Sequence, residues 1–535
     1  AMATKRTVGA VVALLLLLGA CSSGDDKTDS SPSPAEGASG GTFSIYNGEP
    51  EHLSPPLDYE SAGSQVFEAL WTPLVTLDAE GNVEMAQAES VESDDQKVWT
   101  IKIKPGWTFH NGDPVTAQDY VDTWNWTALG ENGAILNFFF ERFEGYDDLN
   151  PAEGKAKTKE LSGLKVIDDT TFEVTLNDAF SQFPLQLAFT AFVPMPKAFF
   201  DDQEAFDEAP IGDGPYMMDG KWKHNDTINL KRYEDYPGTP GFADEIKLPI
   251  YNATGPAYAD LQGGTLDIDI IGSDKLVQAE KDFPDTLQRN TGATLLYLSF
   301  PLYDKRFESK YLRQALSLAV DRQAVMNAIL VAETPADSFI TPAIPGYREA
   351  SCKYCHLDVE LAKQKLEQAG GWEGPLTIHL YEDQALEQAM EAVANQWKQN
   401  LGIEDIEIDP ININSYFDFY DSKKAKGPWW DGWTEDYPSM EDFLRPIMGA
   451  NGGYNESTYS NPEFDALLEE GDKASSTEES IAKYQAAEDI VAEDMPIMPW
   501  GYIGYNWATS DRVTNVQKDG PFDLVALEKV QVVNP

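Results

Sequence analysis

Apolar and polar residues alternate in several short runs along the chain. Trp99, Ile101 and Ile103 are separated by Thr100 and Lys102, the period of two that puts one side of a strand in a core. Phe172, Val174 and Leu176 repeat the pattern, as do Leu376, Ile378 and Leu380. Phe43 and Ile45 predict a strand ended by an Asn47-Gly48 turn, Ile228 and Leu230 predict another, and the apolar run Thr294 to Phe300 predicts a third. Helical periods lie between them. Leu312, Leu316, Ala319 and Val320 share one face of a helix. Asp358 caps a helix carrying Val359, Ala362, Leu366 and Ala369, which Gly370 stops. Thr116 and Asp119 open a helix with Tyr120, Val121 and Trp124, and Ser476 and Glu479 box the start of one with Ile481, Tyr484, Ala487 and Val491. Asn461-Pro462 starts a helix with Phe464, Leu467 and Leu468 inside. Pro105-Gly106, Asn111-Gly112 and the tight loop Ile211 to Tyr216 are the turns between such elements. Strands alternating with helices, without an internal repeat, predict α/β domains with mixed sheets.

At 535 residues the chain exceeds one ordinary core, so two or more domains are expected. The folded part is bracketed by a leader. Lys5 and Arg6 precede an apolar run from Val8 to Leu18, too short to span a bilayer comfortably. Leu18-Gly19-Ala20-Cys21 then reads as a lipobox with Cys21 as the lipidated first residue, against the alternative of a soluble secretory signal with an incidental Cys. Ser22 to Gly41 is rich in Ser, Gly, Asp and Pro and predicts a flexible tether. A net charge of −51 removes nucleic acid from the expected partners, because nothing offsets phosphate repulsion. The same acidity favours solubility and can draw in cationic solutes.

One stretch concentrates candidate chemistry. Gly427-Pro428-Trp429-Trp430-Asp431-Gly432-Trp433-Thr434-Glu435-Asp436-Tyr437-Pro438 holds tryptophans, a tyrosine and carboxylates within a dozen residues. Its Gly and Pro argue against a regular helix and for a loop or strand end. Aromatic faces with a carboxylate between them suit an organic cation. The same residues also read as an aromatic core segment beside a solvated acidic turn.

Cys352, Cys355 and His356 spell the Cys-x-x-Cys-His spacing of covalent haem attachment. Outside the cytoplasm a local disulfide is the better reading, over free thiols, a metal or haem. His52, His110, His224 and His379 form no pair or cluster of zinc spacing, so neither a metal nor another cofactor is expected. A Gly-x-Ser-x-Gly elbow and a Walker pattern are both missing, and carboxylate pairs in so acidic a chain are weak support for a glycosidase.

Several motifs, in order, resemble those of the extracytoplasmic solute-binding proteins of oligopeptide, dipeptide and nickel ABC importers. They are the stretch Trp99 to Asp119, Gly212-Asp213-Gly214-Pro215-Tyr216, Leu261 to Ile268, Leu312 to Arg322, the Gly-Trp-x-x-Asp-Tyr-Pro element at Gly432 to Pro438, and Tyr459 to Asp465. The resemblance covers nearly all of the mature chain. It implies an α/β, two-lobed periplasmic-binding-protein-like (type II, Venus-flytrap) fold with an extra subdomain on the first lobe. The implied layout is a signal peptide at 1–20, a tether at 21–41, the first lobe at 42–75, 191–297 and 500–535, the extra subdomain at 76–190, and the second lobe at 298–499.

The resemblance also implies a receptor that is not an enzyme. It would be anchored through Cys21 on the extracytoplasmic face of the membrane, act as a monomer, and capture peptides for an ABC permease and its ATPase. Asp436 matches the carboxylate that anchors a peptide's α-amino group. Gly432 and Trp433 match positions that supply backbone contact and an aromatic wall, and Tyr502 falls near a hinge tyrosine that faces the ligand. Trp430 stands where some oligopeptide binders carry an Arg for the peptide carboxylate, with Lys423, Lys424 and Lys426 as candidates to replace it. That departure leaves room for a cationic or uncharged ligand. An oligosaccharide or a metal chelate on the same fold, or a secreted hydrolase, are the alternatives.

Overall fold

The computed structural model describes residues 39–78 and 81–535. The expected signal peptide, Cys21 and nearly all of the tether lie outside them. The largest sheet has seven strands. In spatial order they are Ile268–Ile271, Ile497–Thr509, Gln288–Ser299, Trp429–Thr434, Leu376–Tyr381 and Ile406–Ile411, with Glu333–Pro335 also paired to Ile497–Thr509. Gln288–Ser299 and Ile497–Thr509 form a long antiparallel pair, and their register shifts between Thr291 and Leu295. Gly292 sits in that irregularity, where a Cβ would fall 2.4 Å from the carbonyl oxygen of Ile503. The pair runs from one apolar core into another. Leu295 to Leu298, Ile497, Met498, Trp500 and Tyr502 pack in one core, whereas Trp507 packs in a second.

The second core lies on a four-stranded sheet in the order Thr42–Ser44, Glu245–Pro249, Thr227–Arg232, Tyr216–Met218. The Gly212-Asp213-Gly214 loop is pressed against the end of the helix Ser61–Leu70. A Cβ on Gly212 would lie 1.9 Å from the Leu70 carbonyl oxygen, and the Gly214 N–H donates to that oxygen at 2.7 Å. These glycines therefore serve close packing. A third core belongs to an antiparallel sheet of Ala88–Glu92, Val98–Ile103, Thr171–Thr175 and Leu164–Asp168, with the helix Ala117–Ala128 against it. Trp124 is fully buried there, with Phe140, Phe143, Phe172 and Phe192 around its ring.

The capping signals are present as hydrogen bonds. The Thr116 N–H donates to the Asp119 carboxylate at 2.8 Å, Asp358 accepts from the Leu361 N–H at 2.9 Å, and Ser476 from the Glu479 N–H at 3.1 Å. Two expectations need correction. No turn forms at Asn47-Gly48. The chain stays extended through bridges of Ile45 to Ile268 and Asn47 to Ile250, because the buried Asn47 amide donates to the Ala62 carbonyl at 3.1 Å. The helix carrying Leu312 and Leu316 ends at Leu318, and Ala319 and Val320 lie beyond it. The arginines of that motif are buried against carbonyls: Arg313 Nε donates to Met495 at 2.9 Å and Arg322 Nε to Pro499 at 2.9 Å. Cys352 and Cys355 are joined as a disulfide.

Candidate functional site

The aromatic stretch forms a strand, Trp429–Thr434, inside the largest sheet, where a loop or strand end was expected. Gly427 and Pro428 stand just ahead of it. A Cβ on Gly427 would fall 1.9 Å from the Thr377 carbonyl oxygen, so the chain enters the sheet only with glycine there. Burial of Trp429 and Trp430 then outweighs the poor strand propensity of Gly432.

One edge of this strand pairs with Gln288–Ser299, from Thr434 opposite Thr294 to Trp429 opposite Ser299. The ladder continues as the Glu435 N–H donates to the Ala293 carbonyl at 3.2 Å, whereas the Gly432 N–H turns to Asp431 Oδ1 at 2.8 Å. Antiparallel residues alternate between bonding their neighbour and pointing away from it. Asp431, Trp433 and Glu435 therefore bond inward, and Trp430, Gly432 and Thr434 direct their backbone groups to the other edge. That edge meets Leu376–Tyr381 only at His379 opposite Trp429, and the Trp430 carbonyl accepts from Tyr416 Oη at 2.6 Å. Among the described residues, no strand pairs with the edge from Gly432 to Thr434, and Gly432 is exposed.

Carboxylates gather where the strand ends. Asp436 Oδ1 accepts from Tyr59 Oη at 2.6 Å, and the Tyr59 ring stands edge-on to Phe138 and Phe189. The backbone N–H of Asp436 donates to Asp442 Oδ2 at 2.8 Å, and Trp433 Nε1 lies 3.3 Å from the same oxygen. The outer side of Trp433 meets Tyr454, with ring centroids 4.9 Å apart. Burial, with Glu141 nearby, pushes the Asp436 carboxyl up to about 6 against the opposing Tyr59 bond. Asp431 is pushed up to about 7 by burial, and Asp442 well above the usual range by burial and by Asp436. Glu435 is also raised by burial and by Asp523, with Lys518 as the opposing cation. Ionisation of these carboxyls is thus disfavoured for want of an internal counter-charge, and an external cation would favour it.

The residues singled out from the sequence divide. Asp436, Trp433 and Gly432 converge on one end of the strand. Trp430 is 4% exposed and packs edge-on to Trp500, and Tyr502 is 3% exposed with its hydroxyl donating to the Ile340 carbonyl at 3.0 Å. Both belong to the core, so neither presents surface to a ligand as the protein stands. Lys423, Lys424 and Lys426 are exposed on the turn before the strand. Tyr59, Asp442 and Tyr454 were missed. Asp442 follows Asp436 by six residues, but it stands beside Glu441 on the same helix and the sequence does not tell which of the two turns to Asp436; nothing local ties Tyr59 to a partner 377 positions away. Among the described residues, no group of three or more His, Cys, Asp or Glu is arranged to hold a metal ion, and no helix is long and apolar enough to cross a membrane.

Comparison with known proteins places this geometry. The chain is 26% identical over 498 residues to the oligopeptide-binding protein OppA of Bacillus subtilis (strain 168), covering 88% of this chain and 89% of that one. It is likewise 26% identical over 474 residues to the probable deoxycholate-binding periplasmic protein YgiS of Escherichia coli (strain K12), covering 85% and 86%. In structure it matches the periplasmic murein tripeptide binding protein MppA in an unliganded open form, with a TM-score of 0.83 at 22% identity over 94% of this chain and 98% of that one. The fold is the two-lobed type II binding-protein fold. Residues 82–455 match the model of the bacterial extracellular solute-binding proteins, family 5 (middle region), and the chain belongs to that family.

Proposed function

We propose that this protein is the lipid-anchored receptor of an ABC importer, capturing peptides between its lobes and delivering them to a membrane permease. One observation carries the reading: a strand edge left open from Gly432 to Thr434 leads directly to the Asp436 carboxylate. A peptide added along that edge supplies main-chain hydrogen bonds, and its α-ammonium group makes a charge-assisted bond to Asp436. Trp433 and Tyr454 wall the path. The name of the Bacillus subtilis relative agrees with this cargo. Deoxycholate, named for another relative, is an anion and would meet uncompensated carboxylates here.

In this reading residues 42–75, 191–297 and 500–535 form one lobe, 76–190 its extra subdomain and 298–499 the other lobe. The hinge is the long strand pair with its irregularity at Gly292. Cys21 anchors the monomer on the extracytoplasmic face through the tether, and the permease with its ATPase receives the cargo. Calorimetry with a short peptide and its N-acetylated form tests the proposal. Asp436→Ala should weaken binding of the free peptide by about 2–5 kcal/mol, because it leaves a buried ammonium unpaired, and acetylation should cause a loss of similar size. Equal affinity of the two proteins for the free peptide would remove Asp436 from the site.

A further inference from the structure

Resting on the peptide reading above, we propose that Glu435 is a second anion of the site and selects peptides whose first residue is Lys or Arg. Glu435 is 6% exposed, and neither of its carboxylate oxygens has a hydrogen-bond partner, although both are buried. A buried carboxylate with no partner is costly to keep. Its backbone serves the fold through the Ala293 carbonyl, so the side chain is not needed for that link.

Its charged neighbours are Asp523, Lys518 and Asp436. Lys518 does not balance it, because that ammonium already bonds the Thr291 carbonyl at 3.0 Å and lies 3.1 Å from Asp523. Lys518 and Asp523 belong to the C-terminal segment, whereas Glu435 closes the strand that carries the binding edge. The backbone of Glu435 and the carboxylate of Asp523 are both fixed to Ala293, so it is the Glu435 side chain, not its strand, that turns to meet a ligand beside Asp436. With the α-ammonium on Asp436, the adjoining carboxylate is within the first side chain's reach. A basic group there satisfies Glu435 and leaves the ligand dicationic at its amino end.

Burial, Asp523 and Asp436 all raise the Glu435 carboxyl, and a paired cation opposes that shift. The test is calorimetry with Lys-Ala-Ala and Ala-Ala-Ala on the wild-type protein and on Glu435→Gln. The wild type should prefer Lys-Ala-Ala by about tenfold or more. Glu435→Gln should shrink the preference to within about twofold. Thermal melting of the unliganded variant checks that it folds, which replacement of an unbonded carboxylate by its amide favours. A preference that survives in the variant, or the lack of one in the wild type, would overturn the inference. Binding of neither peptide would instead overturn the peptide reading.

Discussion

Glu441 and Asp442 are neighbours on the helix Met440–Met448, and each is 1% exposed. Their electrostatic surroundings are opposite. Glu441 Oε1 accepts from Arg142 at 2.6 Å and from Arg445 at 2.5 Å, and Arg445 also reaches Asp472 at 2.5 Å. The two guanidiniums hold the Glu441 carboxyl below its usual range in spite of burial. Asp442 faces Asp436 and is driven well above its own. The first cluster joins the sheet-and-helix unit containing Arg142 to the unit containing Glu441, and the protein balances its own charge there. The second holds two carboxyls whose ionisation is disfavoured until a cation is supplied. Glu441 and Asp442 are equally buried, so what separates the structural acid from the proposed binding one is whether the chain supplies the counter-ion.

Breaking the balanced cluster should give the largest effect. Glu441→Ala leaves Arg142 and Arg445 facing each other across a cavity. Removing one partner of a buried pair costs about 3–5 kcal/mol. The guanidinium side chains here are 30% and 29% exposed, which brings the expected loss to about 2–4 kcal/mol. Urea denaturation should show the loss, while peptide affinity of the folded molecules stays close to wild type. A variant that keeps its stability would mean that the pair contributes nothing net.

The unbalanced cluster should respond with the opposite sign. The Asp436 carboxyl is raised from 3.8 to about 6 in the folded protein. The folded state therefore binds more protons between those values, and stability falls as pH rises through the window. At pH 7 the ionised group costs about 1–3 kcal/mol. Asp436→Asn should recover that amount in the unliganded protein at pH 7–8, the gain fading toward pH 4, while peptide binding is lost. Glu441 behaves inversely: its depressed carboxyl stabilises the fold above 4.5, and that support is lost on acidification. Melting curves of both variants across pH separate the two behaviours. An Asp436→Asn protein no more stable than wild type at pH 7 would show that the chain already compensates the charge.

Much of the architecture was legible because it is written in local periods. Trp99, Ile101 and Ile103 alternate into a core, and Asp358 and Ser476 cap the helices they precede. A motif singled out Asp436 but not its Tyr59 and Asp442 neighbours. The roles of the tryptophans were not, because a Trp that walls a site and a Trp that fills a core look alike until the sheet register is known. Trp430 and Trp433 are three residues apart, yet one packs on Trp500 and the other reaches Asp442 and Tyr454. Balanced and unbalanced acids are equally hidden, since Arg142 lies 299 positions from Glu441.

The smallest expected effect concerns Tyr59, which among the described residues is the single group donating a side-chain bond to Asp436. It occupies Oδ1 alone, which leaves Oδ2 for an incoming ammonium. Tyr59 thus orients the carboxylate without competing for it, and Tyr59→Phe should weaken peptide binding by about 0.5–1.5 kcal/mol, the net value of one hydrogen bond. The bond also lowers the Asp436 carboxyl from where burial alone would put it. Without it the group ionises later, so the pH midpoint at which binding appears should move upward from about 6. Steric gating by the ring would leave that midpoint in place, since Phe keeps the ring and its contacts with Phe138 and Phe189. Binding isotherms for both proteins from pH 5 to 8 therefore distinguish a hydroxyl that tunes the anion from a ring that merely closes the cleft.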